Sequence, residues 1–208
     1  MRLLKILLFV VACAALPVPV AAGPLEDGVS AYGRGDYATA LKLWRPLAEQ
    51  GEAEAQYNLG IMYGNGRGVP QDYVQAVAWY RKAAAQGYAG AQYNLGIMYD
   101  NGRGVPQDYG QAVAWYRKAA DQGYAKAQNN LGNMYADGQG VPQDYVQAVA
   151  WYRKAAAQSH AGAQYNVGVM YDKGQGVPQD YAQAMAWYRN VLRPGFETPD
   201  WGYSGCQL

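Results

Sequence analysis

Residues able to carry covalent chemistry are scarce in this 208-residue chain: one His (His160), two Cys (Cys13, Cys206), three Ser (Ser30, Ser159, Ser204) and two Thr (Thr39, Thr198). No motif places a Ser or Cys nucleophile beside His160, and the pool is too small for a zinc site built on His and Cys. The 16 Asp and Glu could in principle supply a general acid and base, with Asp100 and Asp137 on adjacent loops as a candidate pair. Most acidic residues have a simpler reading. Asp72, Asp108, Asp144 and Asp180 each precede a helical stretch and are expected to cap it. Asp100-Asn101-Gly102 lacks the Asp-x-Asp-x-Asp-Gly ligand spacing of a calcium loop. His160 stands where Tyr88 and Tyr124 stand in neighbouring copies and is expected to be an exposed turn residue. The sequence therefore reads as a non-enzyme, with no cofactor and no metal.

These residues are set in a repeat. Gln56, Gln92, Gln128 and Gln164 are spaced by 36, and so are Trp79, Trp115, Trp151 and Trp187. Residues 53–88 and 89–124 differ at only four of 36 positions, Glu54/Gly90, Gly64/Asp100, Val74/Gly110 and Ala85/Asp121. Copies this alike point to recent duplication, so their differences are more informative than their agreement. The 26 Gly and 10 Pro are largely the punctuation of this repeat, and the excess of 20 Tyr and 6 Trp is largely one motif copied.

Each unit resolves into two helices. Ala55, Leu59, Met62 and Tyr63 share one face of a first helix over 53–63. Residues 64–71 are rich in Gly and Pro and are expected to form a loop. Asp72 with Gln75 then opens a second helix over 73–86, with Ala76, Trp79, Tyr80 and Ala83 inward and Gly87 able to take a left-handed conformation after it. Gly60, Gly96, Gly132 and Gly168 interrupt the first helices, and close approach of Ala83 or Ala84 is the expected compensation. One helix pair cannot bury its own apolar face, but a stack can. The fold expected is a right-handed α/α solenoid.

The organisation expected is a secretory signal over 1–22, a degenerate N-terminal unit over 23–52, units over 53–88, 89–124, 125–160 and 161–196, and a tail over 197–208. In the signal, Arg2 and Lys5 precede the apolar run Ile6–Leu16 and the small residues Val20-Ala21-Ala22. Lys5, Pro17 and Pro19 leave no clean apolar span for a membrane helix, and the lipid-box reading of Val10–Cys13 is weaker than the signal reading. Cleavage leaves 15 basic against 16 acidic residues, without the basic excess of a nucleic-acid binder, and leaves Cys206 without a pairing partner. In the degenerate unit, Pro46 is expected to bend or shorten its second helix. Phe196, Trp201 and Tyr203 either fold back over the end of the solenoid or leave the last dozen residues disordered.

The run Ala-x-Ala-Gln-Tyr-Asn-Leu-Gly-x-Met-Tyr, then Gly-x-Gly-Val-Pro-Gln-Asp-Tyr, then Ala-x-Ala-Trp-Tyr-Arg-Lys-Ala-Ala resembles the Sel-one-like repeat, a relative of the tetratricopeptide repeat. The resemblance implies an interaction scaffold, often exported in bacteria, whose first helices line a concave groove. Laid on the tetratricopeptide pattern, the groove positions of the first unit are Glu54, Tyr57, Ile61, Gly64 and Asn65. Those of the second include Tyr93, Ile97 and Asp100; of the third Lys126, Asn129 and Asn133; of the fourth Tyr165 and Asp172. Tyr and Ile anchors around a polar third unit suit an extended peptide or a partner helix. Asn58, Asn94, Asn130 and Asn166 would add amides for a peptide backbone. Lys126 alone is a poor basis for gripping a carboxylate terminus. The partner expected is a protein or peptide, the chain itself a monomer, and the site of action the periplasm or the exterior. An alternative is an envelope glycan such as peptidoglycan, stacked on Tyr57, Tyr93 and Tyr165.

Overall fold

The computed structural model describes residues 23–191, and these contain ten helices and no strand. The chain runs α1 (Pro24–Gly33), α2 (Tyr37–Glu49), α3 (Ala53–Asn65), α4 (Tyr73–Ala85), α5 (Ala89–Asn101), α6 (Tyr109–Asp121), α7 (Ala125–Asp137), α8 (Tyr145–Ala156), α9 (Ala161–Lys173) and α10 (Tyr181–Val191). Each helix packs on its neighbours in sequence, giving an all-α solenoid of helix-turn-helix pairs. The signal-like segment, the tail, and with them Cys13, Phe196, Trp201, Tyr203 and Cys206, lie outside the described residues.

The capping Asp residues act as their spacing requires. Asp72, Asp108, Asp144 and Asp180 each accept the backbone N–H three residues on, at 3.0, 2.9, 3.0 and 3.0 Å. The first helices run two residues further than the Gly content suggested. Gly64 and Asn65 complete the last turn of α3, and Gly66 ends it at φ 66°, with the cap N–H donated to the Met62 carbonyl. Pro46 does not shorten α2, which continues to Glu49; α1 and α2 are joined by a short turn over residues 34–36.

The glycines of the first helices face aromatic rings, not Ala83 or Ala84. A Cβ on Gly132 would stand 2.5 Å from Tyr152 Cε1 and 2.6 Å from its Cδ1, and Gly60, Gly96 and Gly168 meet Tyr80, Tyr116 and Tyr188 in the same way. Tyr80, Tyr116 and Tyr152 are therefore the residues of the second helices that fill the unit core. The adjacent Trp residues are only half-buried. Trp79, Trp115, Trp151 and Trp187 pack back onto the core of the preceding unit, and Lys82, Lys118 and Lys154 lie over the rings of the first three at 3.9, 4.3 and 3.9 Å.

Polar ties join unit to unit. Gln56, Gln92 and Gln128 are buried, each donating to a carbonyl of the preceding second helix (Ala48, Ala84, Ala120). Their side-chain oxygens accept from Gln86, Gln122 and Gln158 at 2.9, 2.7 and 2.9 Å. Arg81, Arg117 and Arg153 donate to the hydroxyls of Tyr99, Tyr135 and Tyr171 in the following unit. Stability is thus spread over internal and nearest-neighbour contacts.

Candidate functional site

The first-helix face carries a ladder of tyrosine pairs that breaks at the third unit. Tyr57 lies 4.9 Å, centroid to centroid, from Tyr88, and Tyr93 lies 5.2 Å from Tyr124. Both members change together in the next unit, to Asn129 and His160. These remain close: a Cβ on Gly162 would lie 3.3 Å from His160 Cε1 and 3.9 Å from Asn129 Oδ1.

His160 is not the exposed turn residue expected from its position. It is half-buried and caps α9, its Nδ1 accepting the Ala163 N–H at 3.2 Å. Burial, reinforced by the Lys126 ammonium, depresses its pKa, consistent with a neutral ring whose Nε2 carries the proton. Ser159 before it takes φ 61°, where Gly87 and Gly123 take 86° and 87°.

The amides of this region form a network. Asn166 donates to Asn129 Oδ1 at 3.1 Å and to Asn133 Oδ1 at 3.3 Å, and the Tyr152 hydroxyl donates to Asn133 Oδ1 at 2.8 Å. Beside them is a cavity of about 320 Å³ whose lining includes Asn133, Asp137, Tyr152, Asn166 and Lys173. Asn133 stands where Ile61 and Ile97 pack half-buried against the cores of their units, so the change from Ile to Asn makes this part of the face polar.

The other Asn residues are occupied by the repeats themselves. Asn94 hydrogen-bonds the hydroxyls of Tyr57 and Tyr80, and Asn130 those of Tyr93 and Tyr116. Burial is the main cause that pushes the Tyr57 hydroxyl up to about 12. Asn58 has no such partner. Its Nδ2 is buried without an acceptor, and Trp44 in the preceding unit holds the position that Tyr80 holds in the next, with its indole N–H turned to the Leu25 carbonyl. Asn94, Asn130 and Asn166 are therefore ties between units and Asn58 is buried, so the four do not form an open ladder for a peptide backbone.

The remaining residues expected on this face are distributed along it. Glu54 is half-buried near Tyr88, Lys126 is exposed near His160, and Asn65 is exposed at the last turn of α3. Tyr165 is 42% exposed, its ring 5.4 Å from Tyr188. Asp172 is half-buried near Tyr188, and its backbone carbonyl accepts from Gln179. The Asp100 carboxylate accepts from the Tyr116 hydroxyl at 3.1 Å, and burial raises its pKa. A group held by a buried tyrosine is explained by packing, which removes the case for pairing Asp100 with Asp137. Among the described residues no cluster of three His, Cys, Asp or Glu side chains is placed to hold a metal.

The coupling of Asn129 with His160 was missed in the linear reading, although a signal existed. The two are 31 residues apart, as are Tyr57 and Tyr88, and Tyr93 and Tyr124, and both depart from Tyr in the same unit.

The repeated geometry has a family counterpart, since the model of the Sel1 repeat matches residues 25–52, 53–88, 89–124, 125–160 and 161–190. The chain belongs to the Sel1-repeat family. Solved Sel1-type structures agree with its fold. One is a protective antigen of uropathogenic Escherichia coli strains displaying an SLR fold, 45% identical, with a TM-score of 0.77 over 81% of this chain and 37% of the antigen. Another is a Sel1 repeat protein from Oxalobacter formigenes, 36% identical, with a TM-score of 0.77 over 82% of this chain and 68% of that one. A Sel1 repeat protein from Klebsiella pneumoniae is 25% identical, with a TM-score of 0.56 over 83% and 86%. The chain spans little more than a third of the length of the E. coli antigen. No curated protein is significantly similar in sequence. Family membership makes the chain a helical repeat scaffold of a class that typically mediates protein interaction and has no catalytic centre of its own.

Proposed function

We propose that this Sel1-repeat protein is an exported scaffold of the bacterial envelope whose first-helix face binds an extended peptide or a partner helix. The observation that carries the reading is the break in the tyrosine ladder. Two units present half-buried aromatic pairs, and the third presents Asn129, Asn133 and His160 beside a polar cavity of about 320 Å³. Aromatic rims flanking a few directed hydrogen-bonding groups are what recognition of a peptide requires. Export is supported by the signal-like residues 1–22.

The test uses a variant that turns the third unit into a copy of its neighbours, Asn129→Tyr with His160→Tyr. Units one and two already accommodate this pair, so the helical spectrum should be unchanged. Capture of proteins from the envelope fraction should fall at least about tenfold, the effect of losing one hot spot of ~1.4 kcal/mol. Undiminished capture by the folded double variant would refute the proposed site. Co-sedimentation with purified peptidoglycan, lost in the same variant, would replace a protein partner by a glycan. A phosphatase fused after residue 191, inactive in the cytoplasm and active outside it, tests export directly.

A further inference from the structure

We propose that the cavity between α7 and α9 is a binding site for a free α-amino acid whose side chain ends in a primary amide, the chemistry of glutamine. The proposal goes beyond the peptide reading and does not rest on it. A cavity of about 320 Å³ lies at the small end of ligand pockets, roughly 300–1,000 Å³, and admits a small molecule whatever crosses the first-helix face.

Four of its polar lining residues depart from the first two copies. Asn133 replaces Ile61 and Ile97, Asp137 and Lys173 both stand where those units have Asn65 and Asn101, and Gln175 stands where they have Arg67 and Arg103. Arg67 and Arg103 lie over tyrosine rings of the preceding unit, at 5.6 Å from Tyr37 and from Tyr73. With Gln175 in that register, Lys173 is left as the cation among the described lining residues and Asp137 as the acid.

The floor of the cavity is a donor and an acceptor side by side. Asn133 Oδ1 accepts from the Tyr152 hydroxyl and from Asn166, and Asn166 Nδ2 gives its two protons to Asn129 and Asn133. These bonds fix both amides and leave the Asn133 amino group and the Asn166 carbonyl oxygen without a partner among the described residues. A primary amide is the group that accepts from the first and donates to the second.

The rim is a pair of opposite charges. Asp137 and Lys173 close α7 and α9 at the same register, and both are exposed. They do not pair: partial desolvation alone acts on the Asp137 carboxyl, raising its pKa, and no cation stands against it. Helix stability does not account for Asp137, because the carbonyl end of a helix disfavours an acid. Packed helices lie about 8–10 Å apart, a gap that the ammonium and carboxylate of one α-amino acid bridge with a charged hydrogen bond of about 2.8 Å at each end. Asp137 then takes the ammonium, Lys173 the carboxylate, and Asn133 with Asn166 the side-chain amide.

The test is calorimetric titration of the full chain with L-glutamine, with glycine, which has both charges and no side-chain amide, and with propionamide, which has the amide and no charge. Glutamine should bind saturably with a Kd of about millimolar or tighter, and each partial ligand at least about tenfold more weakly. Asn133→Ile and Lys173→Asn restore residues that the first two units already accommodate, so both variants should keep the helical spectrum. Each should weaken glutamine at least about tenfold. Absence of saturable glutamine binding, glycine bound as tightly as glutamine, or a Kd unmoved in either folded variant would overturn the proposal. These readouts are separate from capture of envelope proteins, so failure here leaves the peptide-binding face to its own test.

Discussion

Replacing Gly132 by alanine puts a methyl group into a tight helix–helix contact of the third unit, against a tyrosine that is 3% exposed. The new Cβ would lie 2.5, 2.6 and 3.2 Å from Cε1, Cδ1 and Cγ of Tyr152. Comfortable carbon contacts begin near 3.5 Å, so α7 and α8 must separate by about 1 Å or the ring must leave its seat. Overpacking of this kind costs about 1–3 kcal/mol, and displacing the ring also endangers the 2.8 Å bond from its hydroxyl to Asn133, worth about 1 kcal/mol. Against this, Ala gains about 1 kcal/mol over Gly inside a helix. The net expectation is a loss of roughly 2 kcal/mol, or about 4–8 °C in Tm for a chain of this size. Thermal melts followed by circular dichroism measure it, with Gly110→Ala as the control. Gly110 is exposed in a helix, and Val74 and Val146 hold its position in other units, so Ala there should leave stability unchanged or raise it by up to about 1 kcal/mol. Combining Gly132→Ala with Tyr152→Leu should relieve most of the clash. If Gly132→Ala melts like Gly110→Ala, the contact between glycine and ring does not set the helix spacing.

Three further outcomes are expected. Ser159→Gly should stabilise by about 0.5–1 kcal/mol, because a left-handed non-Gly residue costs about 1–2 kcal/mol and the added freedom of the unfolded chain returns part of it; the urea midpoint should rise. His160 has a depressed pKa when folded, so the unfolded chain takes up the proton first. Its contribution is complete above the unfolded value of about 6.5 and is lost as pH falls from there to the lower folded pKa, so Tm should drop below about pH 6.5 more steeply than in His160→Tyr. Asn58→Leu removes a buried donor without an acceptor and should be neutral or stabilising, whereas Asn94→Leu strips the hydroxyls of Tyr57 and Tyr80 of a partner and should cost about 1–3 kcal/mol in urea unfolding.

Much of the fold was legible because it depends on local chemistry repeated at a fixed period. Asp72 and its three counterparts cap the second helices through a contact only three residues long, and the Gly-rich turns follow from backbone sterics at single positions. A period of 36 then requires each helix pair to meet another like itself. The two-residue extension of α3 through Gly64 and Asn65 was hidden because glycine is a poor helix former that packing overrode.

What the tertiary structure alone decided is which of two adjacent aromatics fills the core and which polar groups find partners. Trp79 and Tyr80 differ by about 100° around one helix, and only the placement of the preceding unit sends Tyr80 into the Gly60 seat and Trp79 back across the junction. The composition of the first-helix face was likewise readable, but its connections were not. Asn94 and Asn130 are tied to tyrosines of the unit before them, Asn129 meets Asn166 across 37 residues, and His160 turns inward to cap α9. Helix caps are properties of a segment and can be read along the chain. Hydrogen bonds between units depend on how two rigid helix pairs are stacked, and that stacking is set by the buried rings between them.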